Sequence, residues 1–144
     1  MLTQKVFLTQ TDTTIGFVSQ NREKLSLIKK RPAGKRYIKA LPSLSTLKAH
    51  TRIPTCHKNR VRRAKKTTFI LPDSNSYRVV HDRHHNLLLT RLKGAYTTSA
   101  NQSGKAYNEQ FATEMADVIV LPLKQTDTPS TILKIGKTHI KRIR

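Results

Sequence analysis

The chain of 144 residues is poor in the features that mark disulfide-linked, secreted or membrane proteins. Its single cysteine, Cys56, excludes an internal disulfide framework and fits a reducing cytoplasm. No apolar run approaches the roughly 18 residues needed to cross a bilayer. The first ten residues also lack the basic and apolar regions of a signal peptide. We therefore expect one cytoplasmic domain over residues 1–144, with no membrane partner.

The sequence also lacks the ligand spacing of a zinc site. Cys56-His57 and the stretch HDRHH at 81–85 offer scattered ligands, whereas a zinc site uses about four well-spaced ones. His84 and His85 are adjacent, so they point in different directions on a helix. We expect no protein-bound metal from these residues, and no helix-turn-helix or finger pattern indicates a DNA-binding module.

Acidic residues are scarce: 8 Asp and Glu face 28 Lys and Arg, a formal net charge of +20. The charge is uneven, because 16 of the basic residues and one acid, Glu23, lie between Arg22 and Lys66. Such a field attracts polyanions, which favours RNA or DNA phosphate as a partner. A solvated basic surface is the alternative. The candidate RNA-binding residues are Arg52, Lys58, Arg60, Arg62, Arg63, Lys65 and Lys66.

Apolar patterning and capping residues predict alternating strands and helices, which indicates an α/β fold. The predicted strands are 5–10, 36–41, 67–72, 76–80, 95–99 and 118–123, with a hairpin about Gly136 and Lys137 over 130–143. The predicted helices are 21–30, 43–50, 84–94 and 108–116, with Asn21 and Asn108 as N-caps. The basic stretch 51–66 has little apolar pattern, and we expect it to be mobile.

Three polar segments have the composition of a substrate site: TDTTIG, KKRPAGK and TSANQSG. They offer hydroxyls beside the carboxylate of Asp12, a basic cluster around Pro32, and a loop in which Gly104 permits close backbone approach. Each segment has an ordinary structural interpretation as a turn, a solvated helix end or a loop. Asp12 itself could hold hydroxyls or a metal-bound water, or stabilise a turn.

The order of these segments resembles the YrdC-like family of threonylcarbamoyl-adenylate synthases. Members carry Pro-Thr-(Asp/Glu)-Thr-x-Tyr-Gly-Leu, then Lys-x-Arg-Pro, Val-Arg-x-Pro, Ser-Ala-Asn-x-Ser-Gly, Pro-Ser-Thr and a final Leu-Arg-x-Gly. The matching segments here, in order, are QTDTTIGF (10–17), KKRPAGK (29–35), YRVV (77–80), SANQSG (99–104), PSTI (129–132) and IR (143–144). The resemblance covers nearly the whole chain and implies a twisted, open, mixed α/β sheet with flanking helices.

The resemblance also implies an activity. Synthases of this family condense L-threonine, bicarbonate and ATP into threonylcarbamoyl-AMP and release pyrophosphate. A downstream transferase complex then modifies an adenosine of tRNA, and family members bind tRNA or double-stranded RNA. ATP would be a substrate, with Mg²⁺ expected on its phosphates. No covalent nucleophile is implied, because carbamate attack on the α-phosphate needs mainly positioning and charge neutralisation.

Individual roles carry over by position in the motifs. The residues implied on the threonine side are Thr13, Arg78, Thr97 and Ser130. Those implied on the ATP side are Arg31, Lys35, Ser99, Asn101 and Arg144, together with Ser74, which lies outside the motifs and is matched by its place upstream of Arg78.

The chain departs from the family pattern at several positions. Gln10 stands where the first motif has Pro, Val80 replaces the Pro of Val-Arg-x-Pro, and the sequence starts at the first motif without the usual preceding helix. The alternative function is therefore a shortened, catalytically weakened or inactive RNA-binding module of the same family.

Overall fold

The computed structural model describes residues 2–32, 36–123 and 129–144, which form nine strands and five α-helices. The strands are β1 (Phe7–Gln10), β2 (Ile15–Ser19), β3 (Ile38–Leu41), β4 (Thr67–Ile70), β5 (Ser76–Val79), β6 (Ala95–Ser99), β7 (Val118–Ile119), β8 (Thr131–Ile135) and β9 (Ile140–Arg142). The helices are α1 (Arg22–Lys29), α2 (Leu44–His50), α3 (Lys58–Arg63), α4 (Arg83–Leu92) and α5 (Glu109–Met115). Short 3-10 helices cover Leu2–Gln4 and Thr55–His57.

All nine strands belong to one mixed sheet with the order β7-β1-β2-β6-β3-β5-β4-β8-β9. Three pairs are parallel, namely β1 with β7, β3 with β5, and β4 with β8. The other five pairs are antiparallel. The predicted α/β fold with a mixed sheet and flanking helices is confirmed.

Capping side chains set the helix starts that the sequence predicts. The side chain of Asn21 accepts a hydrogen bond from Lys24 N at 3.2 Å, and that of Asn108 accepts one from Phe111 N at 3.0 Å. The helix α4 ends just before Gly94, where the chain turns into β6 with a φ of 93°. A Cβ there would lie 2.5 Å from Leu41 Cδ2, so this turn favours glycine for space as well as for conformation.

Helices cover both faces of the sheet because apolar side chains alternate along the strands. In β1, Phe7 packs in the cluster that includes Leu89 and Leu92 of α4. Its neighbour Leu8 faces the other way and packs with Leu25 of α1 and Ala112 of α5. A third cluster joins α2 and α3 to β4, β5 and β8.

Three predictions about the elements are wrong. The stretch 51–66 is folded: it forms a 3-10 turn and α3, which is anchored by the buried side chains of Ile53, His57 and Val61. The strand β2 was not among the predicted elements, although its five residues are all buried. The strand predicted at 118–123 is only Val118–Ile119, and Leu121 beyond it is exposed. No helix among the described residues is long and apolar enough to cross a membrane.

Candidate functional site

One face of the sheet carries a pocket beside the area covered by α4. Thr97 of β6 pairs with Val18 on one side and Ile38 on the other, and Ala40 pairs with Arg78. Paired residues share a face, so these side chains project together. The pocket has a volume of about 300 Å³. The residues that line it are Thr11, Thr13, Thr14, Gly16, Arg31, Arg36, Tyr37, Ile38, Arg78, Thr97, Thr98, Ser99, Pro129, Ser130 and Arg144.

The turn between β1 and β2 forms one wall. Thr11 Oγ1 accepts hydrogen bonds from Thr13 N and Thr14 N, both at 3.2 Å, and donates to Thr14 O at 2.5 Å. The threonine-rich sequence therefore folds locally into a hydroxyl-closed turn. Gly16 follows it on the pocket floor, where a Cβ would lie 2.9 Å from Thr98 O.

A buried ion pair lies at the base of the pocket. Arg78 Nε is 3.3 Å from Asp12 Oδ1, and the two side chains are 6% and 7% exposed. The contact is ionic, because neither Asp12 oxygen nor Arg78 Nε makes a hydrogen bond of normal geometry with a described residue. Burial raises the pKa of the Asp12 carboxyl, and Arg78 partly opposes that shift.

A second arginine reaches the pocket from the end of the sheet. Arg144 Nε donates to Ser130 O at 3.0 Å, and Arg144 Nη2 lies 3.3 Å from Ser130 Oγ. Ser130 Oγ is also 2.9 Å from Thr68 Oγ1 of β4. These contacts fix the Ser130 hydroxyl and the Arg144 guanidinium together at the pocket rim.

The segment after α1 supplies two further guanidinium groups. Arg31 lies over the ring of Tyr37, with its Cζ 5.3 Å from the ring centroid. Arg36 Nη1 donates to Ser74 O at 2.7 Å and to Asn75 Oδ1 at 3.3 Å. Both side chains are thereby oriented before any ligand binds.

Lys29 organises the loop that follows β6. Its Nζ is buried and donates to Ser99 O at 3.0 Å, to Asn101 O at 2.6 Å and to Asn101 Oδ1 at 3.1 Å. Ser99 Oγ donates to Asn101 Oδ1 at 2.6 Å, and Asn101 Nδ2 donates to Lys105 O at 2.6 Å. Burial lowers the pKa of Lys29 to about 8, with Arg31 adding to the shift.

The charge of the pocket is one-sided. Four guanidinium groups line it, from Arg31, Arg36, Arg78 and Arg144, and no Asp or Glu is among its described lining residues. A guanidinium group offers a planar set of donors that matches carboxylate and phosphate oxygens. The pocket therefore has the chemistry of a site for an anion that carries more than one negative group.

The structure brings together seven of the ten residues that the sequence assigned to threonine and ATP. They are Thr13, Arg31, Arg78, Thr97, Ser99, Ser130 and Arg144. Two others do not line the pocket: Asn101 is engaged inside its loop, and Ser74 is connected to the pocket through Arg36. Lys35 lies outside the described residues.

The candidate RNA-binding residues lie on and around α3. Arg60, Arg62 and Arg63 are exposed on the helix, as are Arg52, Lys65 and Lys66 in the flanking segments, and Lys58 is half-buried. None of these seven is among the described residues that line the pocket. The exposed arginines of α3 thus lie outside the pocket lining, whereas Lys65 and Lys66 line a second cavity together with Asp12.

Sequence reasoning missed two groups at the site. Arg36 was not assigned a role, although it stands one residue beyond the KKRPAGK motif that supplied Lys35. Lys29 was counted only with the basic cluster, because its burial and its three acceptors depend on the position of a loop far along the chain.

The described residues offer no resident metal site. No group of three or more His, Cys, Asp or Glu side chains among them is placed to hold an ion. The one carboxylate at the base of the pocket, that of Asp12, is already paired with Arg78. Among the described residues, the protein ligands alone therefore do not form a Mg²⁺ site.

Comparisons with known proteins place the fold. No protein-family model and no curated protein matches the chain. Among solved structures, Sua5 of P. abyssi in complex with L-threonine superposes with a TM-score of 0.84 at 19% identity, covering 97% of this chain and 50% of that one. YciO of E. coli superposes with a TM-score of 0.75 at 17% identity, and the match covers 97% of this chain and 82% of YciO. Full-length HypF, in a phosphate- and nucleotide-bound form, superposes with a TM-score of 0.76 at 16% identity, and the match covers 97% of this chain and 26% of HypF.

These likenesses define the class of fold. The chain has the single mixed α/β sheet with flanking helices found in Sua5 and YciO. It spans about half the length of the Sua5 structure that it matches. At these identities the likeness shows the fold, and the chemistry has to be argued from the pocket.

Proposed function

We propose that the protein synthesises threonylcarbamoyl-AMP from L-threonine, bicarbonate and ATP. The observation that carries the proposal is the convergence of residues from six separate motifs on one arginine-lined pocket. Motifs that are far apart in the chain would have no reason to meet in a pocket if each were an ordinary turn or loop. The fold shared with a Sua5 structure that contains L-threonine supports the same proposal.

The threonine side of the site is formed by Arg78 and three hydroxyl groups. The Arg78 guanidinium pairs with the carboxylate of threonine, since it lines the pocket and its other charged contact is the buried Asp12. Thr13, Thr97 and Ser130 supply hydroxyls for the amino and hydroxyl groups of the substrate. Ser130 is held for this role by Thr68 and Arg144.

The nucleotide side is formed by the remaining arginines and the loop after β6. Arg31, Arg36 and Arg144 neutralise phosphate charge, and the Ser99 hydroxyl contacts the nucleotide. The resemblance also assigns Lys35, which lies outside the described residues, to the nucleotide. Asn101 acts by shaping the loop, and Ser74 acts by holding Arg36. About a quarter of HypF, which was solved in a phosphate- and nucleotide-bound form, shares this fold.

The reaction needs positioning and charge neutralisation from the chain. The threonine amine forms a C–N bond with the carbon of bicarbonate, with loss of water, and gives a carbamate. A carbamate oxygen then forms a bond to the α-phosphorus of ATP as the bond to pyrophosphate breaks. Charge builds up on the transferred and leaving phosphate oxygens, where the arginines already lie. Mg²⁺ enters as part of the substrate MgATP.

Pyrophosphate release tests this function. The protein is incubated with ATP, L-threonine and bicarbonate, and each component is omitted in turn. Release that requires all three supports the synthase. Release with ATP alone indicates that water attacks the α-phosphorus, and release that needs threonine but not bicarbonate indicates direct adenylation of the threonine carboxylate; either result contradicts the proposal.

The second candidate is an RNA-binding module without adenylation activity. Its supporting observation is the exposed basic surface of α3 and its flanks, which lies outside the pocket. Such a surface fits the phosphate backbone of tRNA or double-stranded RNA. The two functions are compatible, because a synthase that delivers its product for tRNA modification, through a downstream transferase complex, benefits from RNA affinity. No pyrophosphate release together with salt-sensitive tRNA binding selects the module.

A further inference from the structure

Asp12 occupies the turn between β1 and β2 but does not hold that turn together. The hydrogen bonds that close residues 11–14 come from Thr11, whose Oγ1 contacts Thr13 N, Thr14 N and Thr14 O. Neither carboxylate oxygen of Asp12 has a hydrogen-bond partner among the described residues. A turn-stabilising Asp would use its carboxylate on a nearby backbone N–H, so that explanation does not apply here.

The close charged contact of Asp12 is the guanidinium of Arg78. Asp12 Oδ1 lies 3.3 Å from Arg78 Nε, and both side chains are almost fully buried. Arg78 also lines the pocket, so one side of its guanidinium faces Asp12 while the residue reaches the ligand space. Asp12 itself is not among the described residues that line the pocket; it contacts a residue that does.

Burial offsets part of what this ion pair contributes to the stability of the fold. Burial raises the pKa of Asp12 despite the nearby Arg78, so the folded protein binds the acidic proton more tightly than the unfolded chain does. A buried pair with unfilled hydrogen-bonding capacity recovers little of its desolvation cost. The presence of a charged Asp at this position is thus not explained by stability alone.

We propose that Asp12 is a positioning residue that fixes the guanidinium of Arg78 for the carboxylate of the amino-acid substrate. The inference rests on the proposed function for the identity of that substrate. Asp12 touches no reacting atom; it sets the rotation of Arg78, so that the donors of the guanidinium face the pocket before the ligand arrives.

Direct binding separates positioning from a structural role. L-Threonine and, separately, an unhydrolysed ATP analogue are titrated by calorimetry into wild type, Asp12→Asn and Asp82→Asn. Asp82 is the matched control, because its carboxylate lies near enough to influence Asp12 and it caps α4, a role that Asn fills equally well. We expect Asp12→Asn to bind threonine at least tenfold more weakly, with analogue affinity within about twofold. We expect the melting temperature of Asp12→Asn to fall, because the buried Arg78 charge loses its counter-ion, but to stay above the temperature of the titrations. Asp82→Asn should bind both ligands like wild type.

Two results overturn the inference. Unchanged threonine affinity in Asp12→Asn shows that Arg78 needs no support from Asp12. Loss of both ligands together with a large fall in melting temperature shows that Asp12 is structural.

A second measurement keeps the inference testable if wild type fails to bind threonine, a result that would remove the proposed function. The Nε–H signal of Arg78, observed by nitrogen-15 NMR, reports how firmly the guanidinium is held. We expect a rigid, slowly exchanging signal in wild type and a mobile one in Asp12→Asn. Equal mobility in the two proteins contradicts the positioning role.

Discussion

Lys29 Nζ lies 2.6 Å from the carbonyl oxygen of Asn101, so a buried lysine of α1 ties down the loop that carries Ser99. The same Nζ also donates to Ser99 O and to Asn101 Oδ1. One cation thus joins the second and third polar segments of the sequence into a single wall. The shape of the nucleotide side of the pocket depends on this contact.

Removing the Lys29 amine should loosen the loop. We expect Lys29→Met to lower the rate of pyrophosphate release at least tenfold, because the two carbonyl oxygens lose their donor. Leaving such buried acceptors unpaired costs about 1–3 kcal/mol of stability. The matched control is Lys30→Met, since Lys30 is an exposed neighbour with the same charge. Equal rates in the two variants contradict the role given to Lys29.

The pH dependence of stability provides an independent test of Lys29. Its pKa in the fold is about 8, below the ordinary value of 10.5 that the unfolded chain keeps. Between these values the unfolded state binds more protons, so the contribution of this group to stability rises with pH. The melting temperature of wild type should therefore gain on that of Lys29→Met between about pH 8 and 10. A constant difference across this range shows that Lys29 is not perturbed.

The turn between β1 and β2 packs against Gly16, in space that a larger side chain would fill. A Cβ at this position would lie 2.9 Å from Thr98 O and 3.1 Å from Thr11 Cγ2. We expect Gly16→Ala to destabilise the protein by about 1–3 kcal/mol and to lower activity by displacing Thr11. Gly136→Ala is the control, because a Cβ there meets only His139 O at 3.5 Å. Urea unfolding measures the free energy of unfolding of both variants. Equal values would show that the turn shifts to accommodate the added methyl group without loss of stability.

Arg78 should not be replaceable by lysine. An ammonium keeps the charge but loses the planar pair of donors that a carboxylate accepts. We expect Arg78→Lys to raise KM for threonine at least tenfold, with KM for ATP changed less than threefold. Arg91→Lys, an exposed change on α4, should leave both constants as in wild type. A rise in KM for ATP alone would move Arg78 to the nucleotide side.

RNA binding should depend on α3 and be sensitive to salt. Each phosphate contact that is lost reduces the slope of log K against log salt by about 0.7–0.9. The triple change of Arg60, Arg62 and Arg63 to Gln should therefore reduce the slope for tRNA by about 2–3. The control removes the same charge from Arg83, Arg91 and Lys93, which are exposed on and after α4. Fluorescence anisotropy at several salt concentrations measures tRNA binding by both triple variants. Equal slopes would mean that tRNA responds to the total charge of the protein and not to α3 in particular.

Local signals in the sequence were sufficient for most elements. The caps at Asn21 and Asn108, the hairpin about Gly136 and the alternating strands all depend on neighbours along the chain. The helix α3 was missed because it is short and buries one side chain, Val61, which leaves no repeating pattern. The strand β2 was missed because its polar neighbours suggested a loop.

The site was predictable where motif order carried it and not where it depended on packing. Order along the chain was enough to select seven residues that the fold brings to one pocket. The pairing of Asp12 with Arg78 and the reach of Lys29 to Asn101 join distant segments, so they follow from the sheet order and the helix position. The motif assigned Asn101 to the nucleotide, but its side chain makes hydrogen bonds to Lys29 and to the backbone of its own loop and does not line the pocket.

The central claim is tested most directly by identifying the reaction product. The protein is incubated with ATP, bicarbonate labelled with carbon-13 and L-threonine labelled with nitrogen-15, and the mixture is analysed by mass spectrometry. We predict an AMP adduct with the mass of threonylcarbamoyl-AMP that contains both labels, and its absence when Arg78 is changed to Lys at low threonine. Consumption of ATP to products that carry neither label, or no consumption by folded protein that still binds tRNA, contradicts the account.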